Sequence, residues 1–192
     1  MTLEQLKDCT LCSDANAAKY LSAFNDVMQK YAIDTPLRQA HFLAQVGYES
    51  GSLIYTEELA SGQAYENRAD LGNMFVGDGK RYKGRGFIQI TGRANYRMYG
   101  DSVKMDLEDN PTLLAELPYC VDSAGYFWDS HSLNIFADKD DIMTITRKIN
   151  GGLNGIEGRT ERLITAKKVL SSQSIIEDIS TVEPLMPDAG TT

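Results

Sequence analysis

The chain has 192 residues, 42% of them hydrophobic and 24% charged, with a formal net charge of −8. This length suits one domain that buries a core without disulfide staples. The acidic balance excludes the broad basic footprint that nucleic-acid binding requires.

Met1 to Asp8 holds no apolar h-region, and no apolar run approaches the roughly 18–20 residues of a membrane span. Neither a signal peptide nor stable membrane insertion is therefore expected. The protein should stay in the cytoplasm unless something else lets it out, and no partner subunit is called for, so a monomer is expected. The three cysteines, Cys9, Cys12 and Cys120, cannot all pair. Cys9-x-x-Cys12 has no second CxxC, and His41 and His131 are far away in sequence, so structural thiols are expected rather than a metal site.

From Ala17 the apolar positions Tyr20, Leu21, Phe24, Val27, Met28 and Tyr31 recur at helical spacing, with Ser13 or Asp14 as the N-cap. Thr35 and Pro36 announce a second helix, which runs through Ala40, His41 and Ala44 to Tyr48 until Gly51 stops it. That places Glu49 in the last turn of an apolar helix, facing a loop. Residues 60–86 carry six glycines and no clear period, and read as loop with at most a short sheet. Phe87 to Thr91 alternates as a short extended segment. Helices are predicted again at about 94–99, 112–117, 120–130, 141–149 and 157–170. From 171 to 192 the apolar periodicity fades into an acidic, Ser/Thr-rich tail that is expected to be partly disordered, which leaves 1–170 as the single domain.

Glu49 has the attributes of a carboxyl acid: it ends a hydrophobic helix, and Ser50-Gly51-Ser52 behind it leaves room for a ligand. A glycosidic bond is cut by such an acid together with a second carboxylate. Glu57 and Glu58 follow on an extended stretch whose neighbouring side chains face opposite ways, so only one of them can face a cleft. The segment from Lys83 to Tyr96 sets glycines at 84, 86 and 92 around Gln89, Thr91 and Asn95, neutral hydrogen-bonding groups suited to sugar hydroxyls. Tyr96 and Tyr99 offer ring faces. Lys80 to Lys104 holds seven basic residues against Asp101 alone, a local patch for gripping an anionic wall. A phosphate loop is excluded, because no Gly-Lys-Ser/Thr is present.

Gly84-Arg85-Gly86-Phe87-Ile88-Gln89-Ile90-Thr91 followed by Asn95-Tyr96 resembles the signature of glycoside hydrolase family 19, which comprises plant-type chitinases and many phage and prophage endolysins. Gln39 to Gly51 resembles the family's helix that ends in the catalytic acid. Ile149-Asn150-Gly151-Gly152 resembles its Ile-Asn-Gly-Gly turn, and the helix headed by Arg162 is also similar. These matches run in the family's order across about 35–170.

The resemblance implies Glu49 as general acid, Thr91 as a holder of the attacking water, and Gln89, Asn95 and Asn150 as substrate-binding residues, to which Tyr96 is added for its ring face. It implies Arg162 as an arginine tied to the catalytic carboxylates, favouring the ionised form of a neighbour. It selects Glu58 over Glu57 as second carboxylate, through a Tyr-x-Glu-Glu stretch similar to Tyr55-Thr-Glu-Glu58. Tyr48 stands where the family usually has His, and its hydroxyl is expected to donate a hydrogen bond there. The expected fold is mainly α with a small β element, a lysozyme-like two-lobed single domain around a substrate cleft.

The expected activity is endolysin-like hydrolysis of β-1,4 bonds in peptidoglycan glycan strands, with inversion and without metal or cofactor. The alternatives are a chitinase acting on chitooligosaccharides and a non-catalytic wall-binding module. A metal-dependent amidase lacks a ligand set.

Overall fold

The computed structural model describes residues 1–180, with side chains through residue 171. The expected tail therefore lies outside the described residues from position 181 onward. Within them, α1 (Leu3–Thr10), α2 (Asp14–Lys30) and α3 (Pro36–Glu49) form the N-terminal part. A glycine-rich stretch with the short α4 (Asp78–Arg81) follows, and then come α5 (Arg93–Val103), α6 (Tyr119–Ser130), α7 (Leu133–Ala137), α8 (Ile142–Asn150) and α9 (Ile156–Ser180).

Local chemistry starts each early helix. Ser13 Oγ accepts the Asn16 N–H at 3.2 Å, and Thr35 Oγ1 accepts that of Arg38 at 3.2 Å, with Pro36 in the first turn. α1 was not anticipated, although Thr2 and Gln5 form a reciprocal capping box. α9 runs ten residues beyond its expected end at 170. The helix expected at 112–117 is a 3-10 turn, Pro111–Ala115.

α3 is the central helix. Every residue from Ala40 to Gly47 is buried, and α1 and α9 pack along it. Phe42 meets Trp128 edge-on at 5.4 Å, and Phe24 stacks on Phe87 at 6.0 Å. Fully burying such side chains contributes about 1.5–3 kcal/mol each. His41 is buried here, with Nε2 2.8 Å from Asp140 Oδ1. Burial pushes its ring below the ordinary 6.5, opposed by the Asp140 carboxylate. Cys9, Cys12 and Cys120 are free and buried, and burial raises the Cys9 and Cys120 thiols to about 12.

A second, smaller cluster gathers Tyr82, Ile90, Tyr96, Tyr99, Leu107 and Leu114, which gives the molecule its two lobes. The small β element amounts to two antiparallel bridges, Glu57 with Arg85 and Arg85 with Ile90. Phe87 to Thr91 is not an extended strand. Gln89 is left-handed at φ 54°, and its N–H donates back to the Gly86 carbonyl at 3.0 Å, a turn that buries Phe87 and Ile88 in the main core and Ile90 in the smaller cluster. Among the described residues no helix is long and apolar enough to cross a membrane.

Candidate active site

The end of α3 carries Glu49, whose side chain is 19% exposed. Its Oε1 accepts a hydrogen bond from Arg159 Nη2 at 2.5 Å, and Oε2 has no protein partner among the described residues. Arg159 is fully buried and held on three further sides. Nη1 donates to Gln45 Oε1 at 2.5 Å, Nε donates to the Asn154 carbonyl at 3.3 Å, and the guanidinium lies 4.4 Å from the Tyr48 ring centre. Gln45 in turn donates to Thr146 Oγ1 at 3.0 Å, so α3, α9 and α8 meet in one buried polar chain.

Arg162 does not take this role. It donates to the Thr10 carbonyl at 2.7 Å and to Ser52 Oγ at 3.0 Å, bracing α1 and the turn after α3. Arg159 and Arg162 sit three apart on one helix, and packing decides between them. Gly155 and Gly158 leave the space that the Tyr48 ring fills, and a Cβ at Gly155 would sit 1.9 Å from the Tyr48 hydroxyl oxygen. Tyr48 acts as the platform under Arg159, and its hydroxyl makes no hydrogen bond among the described residues.

On the loop side the three glutamates are in different settings. Glu57 is paired with Arg85 at 2.9 Å and Lys83 at 3.1 Å, which together hold its carboxyl below the usual range against the opposing effect of burial. Glu66 accepts the N–H groups of Gly77 and Gly79 and fastens the glycine-rich loop. Glu58 accepts from the Tyr65 hydroxyl at 3.1 Å and from the Gly84 N–H at 3.1 Å. A Cβ at Gly84 would sit 2.6 Å from Gln89 Oε1 and 3.2 Å from Glu58 Oε2, so the absence of a side chain there lets Gln89 and Glu58 lie together.

Gln89, Thr91 and Asn95 line one cleft of about 420 Å³, with Leu71, Met98 and Ile149 among the apolar groups. Each gives one donor to the backbone: Gln89 Nε2 to Gly86 O at 2.9 Å, Thr91 Oγ1 to Gln89 O at 2.9 Å, and Asn95 Nδ2 to Thr91 O at 2.7 Å. Asn150 ends α8, exposed beside Ile149. Glu49 is joined by hydrogen bonds through Arg159 and Gln45 to Thr146 on α8, the helix whose Ile149 lines this cleft.

Two expectations fail here. Tyr96 and Tyr99 are fully buried: Tyr96 donates to the Lys83 carbonyl at 2.6 Å and accepts from Arg85 at 2.9 Å, and Tyr99 donates to Asp122 at 3.0 Å. They support the cleft from behind and offer no ring face. The basic stretch is largely neutralised in place. Arg93 pairs with Asp78 at 2.6 Å and Glu108 at 3.1 Å, Arg97 pairs with Glu108 at 2.5 Å, and these arginines, Arg97 foremost, hold Glu108 down to about 2. With Lys83 and Arg85 on Glu57, little of it is left for an anionic wall.

The family model described as chitinase class I matches residues 16–145. A glycosyl hydrolase family 19 domain-containing protein of Haemophilus influenzae is 31% identical over 168 residues, spanning 71% of this chain and 82% of that protein. An endochitinase of Arabidopsis thaliana is 35% identical over 138 residues, 71% of this chain but 44% of the plant protein. This chain thus spans less than half the length of that plant relative. The fold matches chitinase C from Streptomyces griseus with a TM-score of 0.72 at 22% identity, over 88% of this chain and 92% of that one. With a helix-borne glutamate anchored by a buried arginine and a match over most of its length, the chain belongs to glycoside hydrolase family 19.

Proposed function

We propose that this glycoside hydrolase cuts β-1,4 bonds in the glycan strands of bacterial peptidoglycan, an endolysin-like activity, by single displacement with inversion. The observation that carries this reading is the pair of carboxylates in unlike settings. Glu49 has one oxygen fixed by Arg159 and the other free to carry the proton to the leaving oxygen. Glu58, beside Gln89, is the loop glutamate without a cation partner, and it accepts a single backbone N–H where Glu66 accepts two. It takes the proton from a water that Thr91 helps to hold, on the opposite face of the sugar ring. The Haemophilus protein, matched over 82% of its length, supports the glycoside-hydrolase part of this reading. A second reading, hydrolysis of chitooligosaccharides, is favoured by the 35% identity to a plant endochitinase.

Product analysis separates the two. Mass spectrometry of reducing ends should show glycan fragments released from purified peptidoglycan faster than from chitin oligomers, and early NMR spectra should show the α-anomer. Release from chitin alone would reject the wall substrate, and a β-anomer would reject inversion.

The choice of second carboxylate has its own test. Glu58→Gln should lower kcat by at least about 100-fold, within the 10²–10⁴ range for general acid–base groups. Glu57→Gln should keep kcat within about threefold while lowering the melting temperature, because it leaves Arg85 with a weaker partner. The reverse pattern would assign the base to Glu57.

A further inference from the structure

Part of the cleft lining comes from the end of α6, where Tyr126, Phe127, Ser130 and His131 border the same cavity as Gln89 and Asn95. His131 closes this helix and is held in one pose. Its ring lies flat on Phe127, with centroids 3.9 Å apart and planes 18° apart. Nδ1 is 2.9 Å from the Phe127 carbonyl oxygen and 3.1 Å from Ser130 Oγ. A carbonyl only accepts, so Nδ1 carries the hydrogen, and in the neutral ring Nε2 is an unprotonated acceptor. Nε2 has no partner among the described residues.

The chemistry of the cleft indicates what Nε2 meets. Its lining contains no Asp, Glu, Lys or Arg. Gln89, Thr91 and Asn95 each give one donor to a backbone carbonyl, which leaves the two amide oxygens, one N–H of each amide and the Tyr126 hydroxyl to meet a ligand. An uncharged cleft of mixed acceptors and donors suits a neutral ligand that carries hydroxyl and amide groups. It is poorly suited to a carboxylate, which would find no cation to pair with.

We propose that His131 is a substrate-binding, specificity-determining residue, whose Nε2 accepts a hydrogen bond from a hydroxyl or acetamido N–H of an uncharged N-acetylated amino-sugar unit. In a strand that alternates plain and carboxylate-bearing sugars, this cleft takes the plain one. The proposal rests on the glycan-hydrolase reading and adds to it a residue on α6 and a preference between sugar units.

The test is calorimetric binding of an N-acetylglucosamine tetramer to the full chain carrying Glu49→Gln, which should bind without hydrolysis. Adding His131→Ala should raise Kd about 2- to 10-fold, the loss of one neutral hydrogen bond. His131→Gln, which can return an acceptor near the position of Nε2, should recover most of that loss. A purely structural role at the end of α6 would lower the melting temperature in both variants and leave Kd unchanged at 25 °C. Unchanged affinity in His131→Ala, or Gln binding no better than Ala, overturns the proposal while the glycan reading stands. Failure of the Glu49→Gln protein itself to bind the tetramer overturns both.

Discussion

Glu49→Gln should abolish hydrolysis, with initial rates of reducing-end release from peptidoglycan and from chitin oligomers falling by 10²–10⁴. The amide keeps the oxygen that accepts from Arg159 and nearly the same volume, so the end of α3 stays packed. What it loses is the transferable proton, and no neighbouring acid replaces it, because Glu57 is committed to Arg85 and Lys83. Circular dichroism and the melting temperature should remain close to wild type. A variant retaining more than about a tenth of the wild-type rate would show that Glu49 is not the general acid.

Glu49 was legible in the sequence because punctuation fixes its helix at both ends. Thr35 and Pro36 start α3, the run from Ala40 to Gly47 keeps it in the core, and Gly51 halts it. Other parts were hidden for physical reasons. α1 is two turns long and too short for a periodicity to register, although the Thr2–Gln5 pair marks its start. Phe87 to Thr91 alternates in composition because three apolar side chains must be buried, yet a left-handed Gln89 buries them in a turn, and composition does not report φ. Tyr96 and Tyr99 are three apart on α5, a spacing that serves a buried stripe as well as a sugar platform, and here it serves the smaller core. Charge counting along Lys80 to Lys104 could not see Asp78 and Glu108, which fold back onto that stretch through Arg93 and Arg97.

The arginine of the site is the sharpest case, and it yields the second large effect: Arg159→Met should lower kcat by about 100-fold or more, whereas Arg162→Met should keep kcat within about threefold. Arg159 supplies the hydrogen bond that fixes Glu49, and removing one such preorganised donor typically costs 10²–10³ in rate. Methionine fills the volume over Tyr48 but leaves Gln45 Oε1 buried without a donor, a destabilisation of about 1–3 kcal/mol. Stability alone therefore cannot distinguish the two positions, since Arg162→Met also strips hydrogen bonds from Thr10 and Ser52. The discriminating readout is kcat measured well below each variant's melting temperature, with Arg159→Lys as the conservative control. Lysine restores a positive charge but not the fork that reaches Glu49 and Gln45 at once, so it should recover stability better than rate. Equal loss of kcat at both positions would return Arg162 to the site and leave Gly155 and Gly158, with the Tyr48 platform they admit, as packing alone.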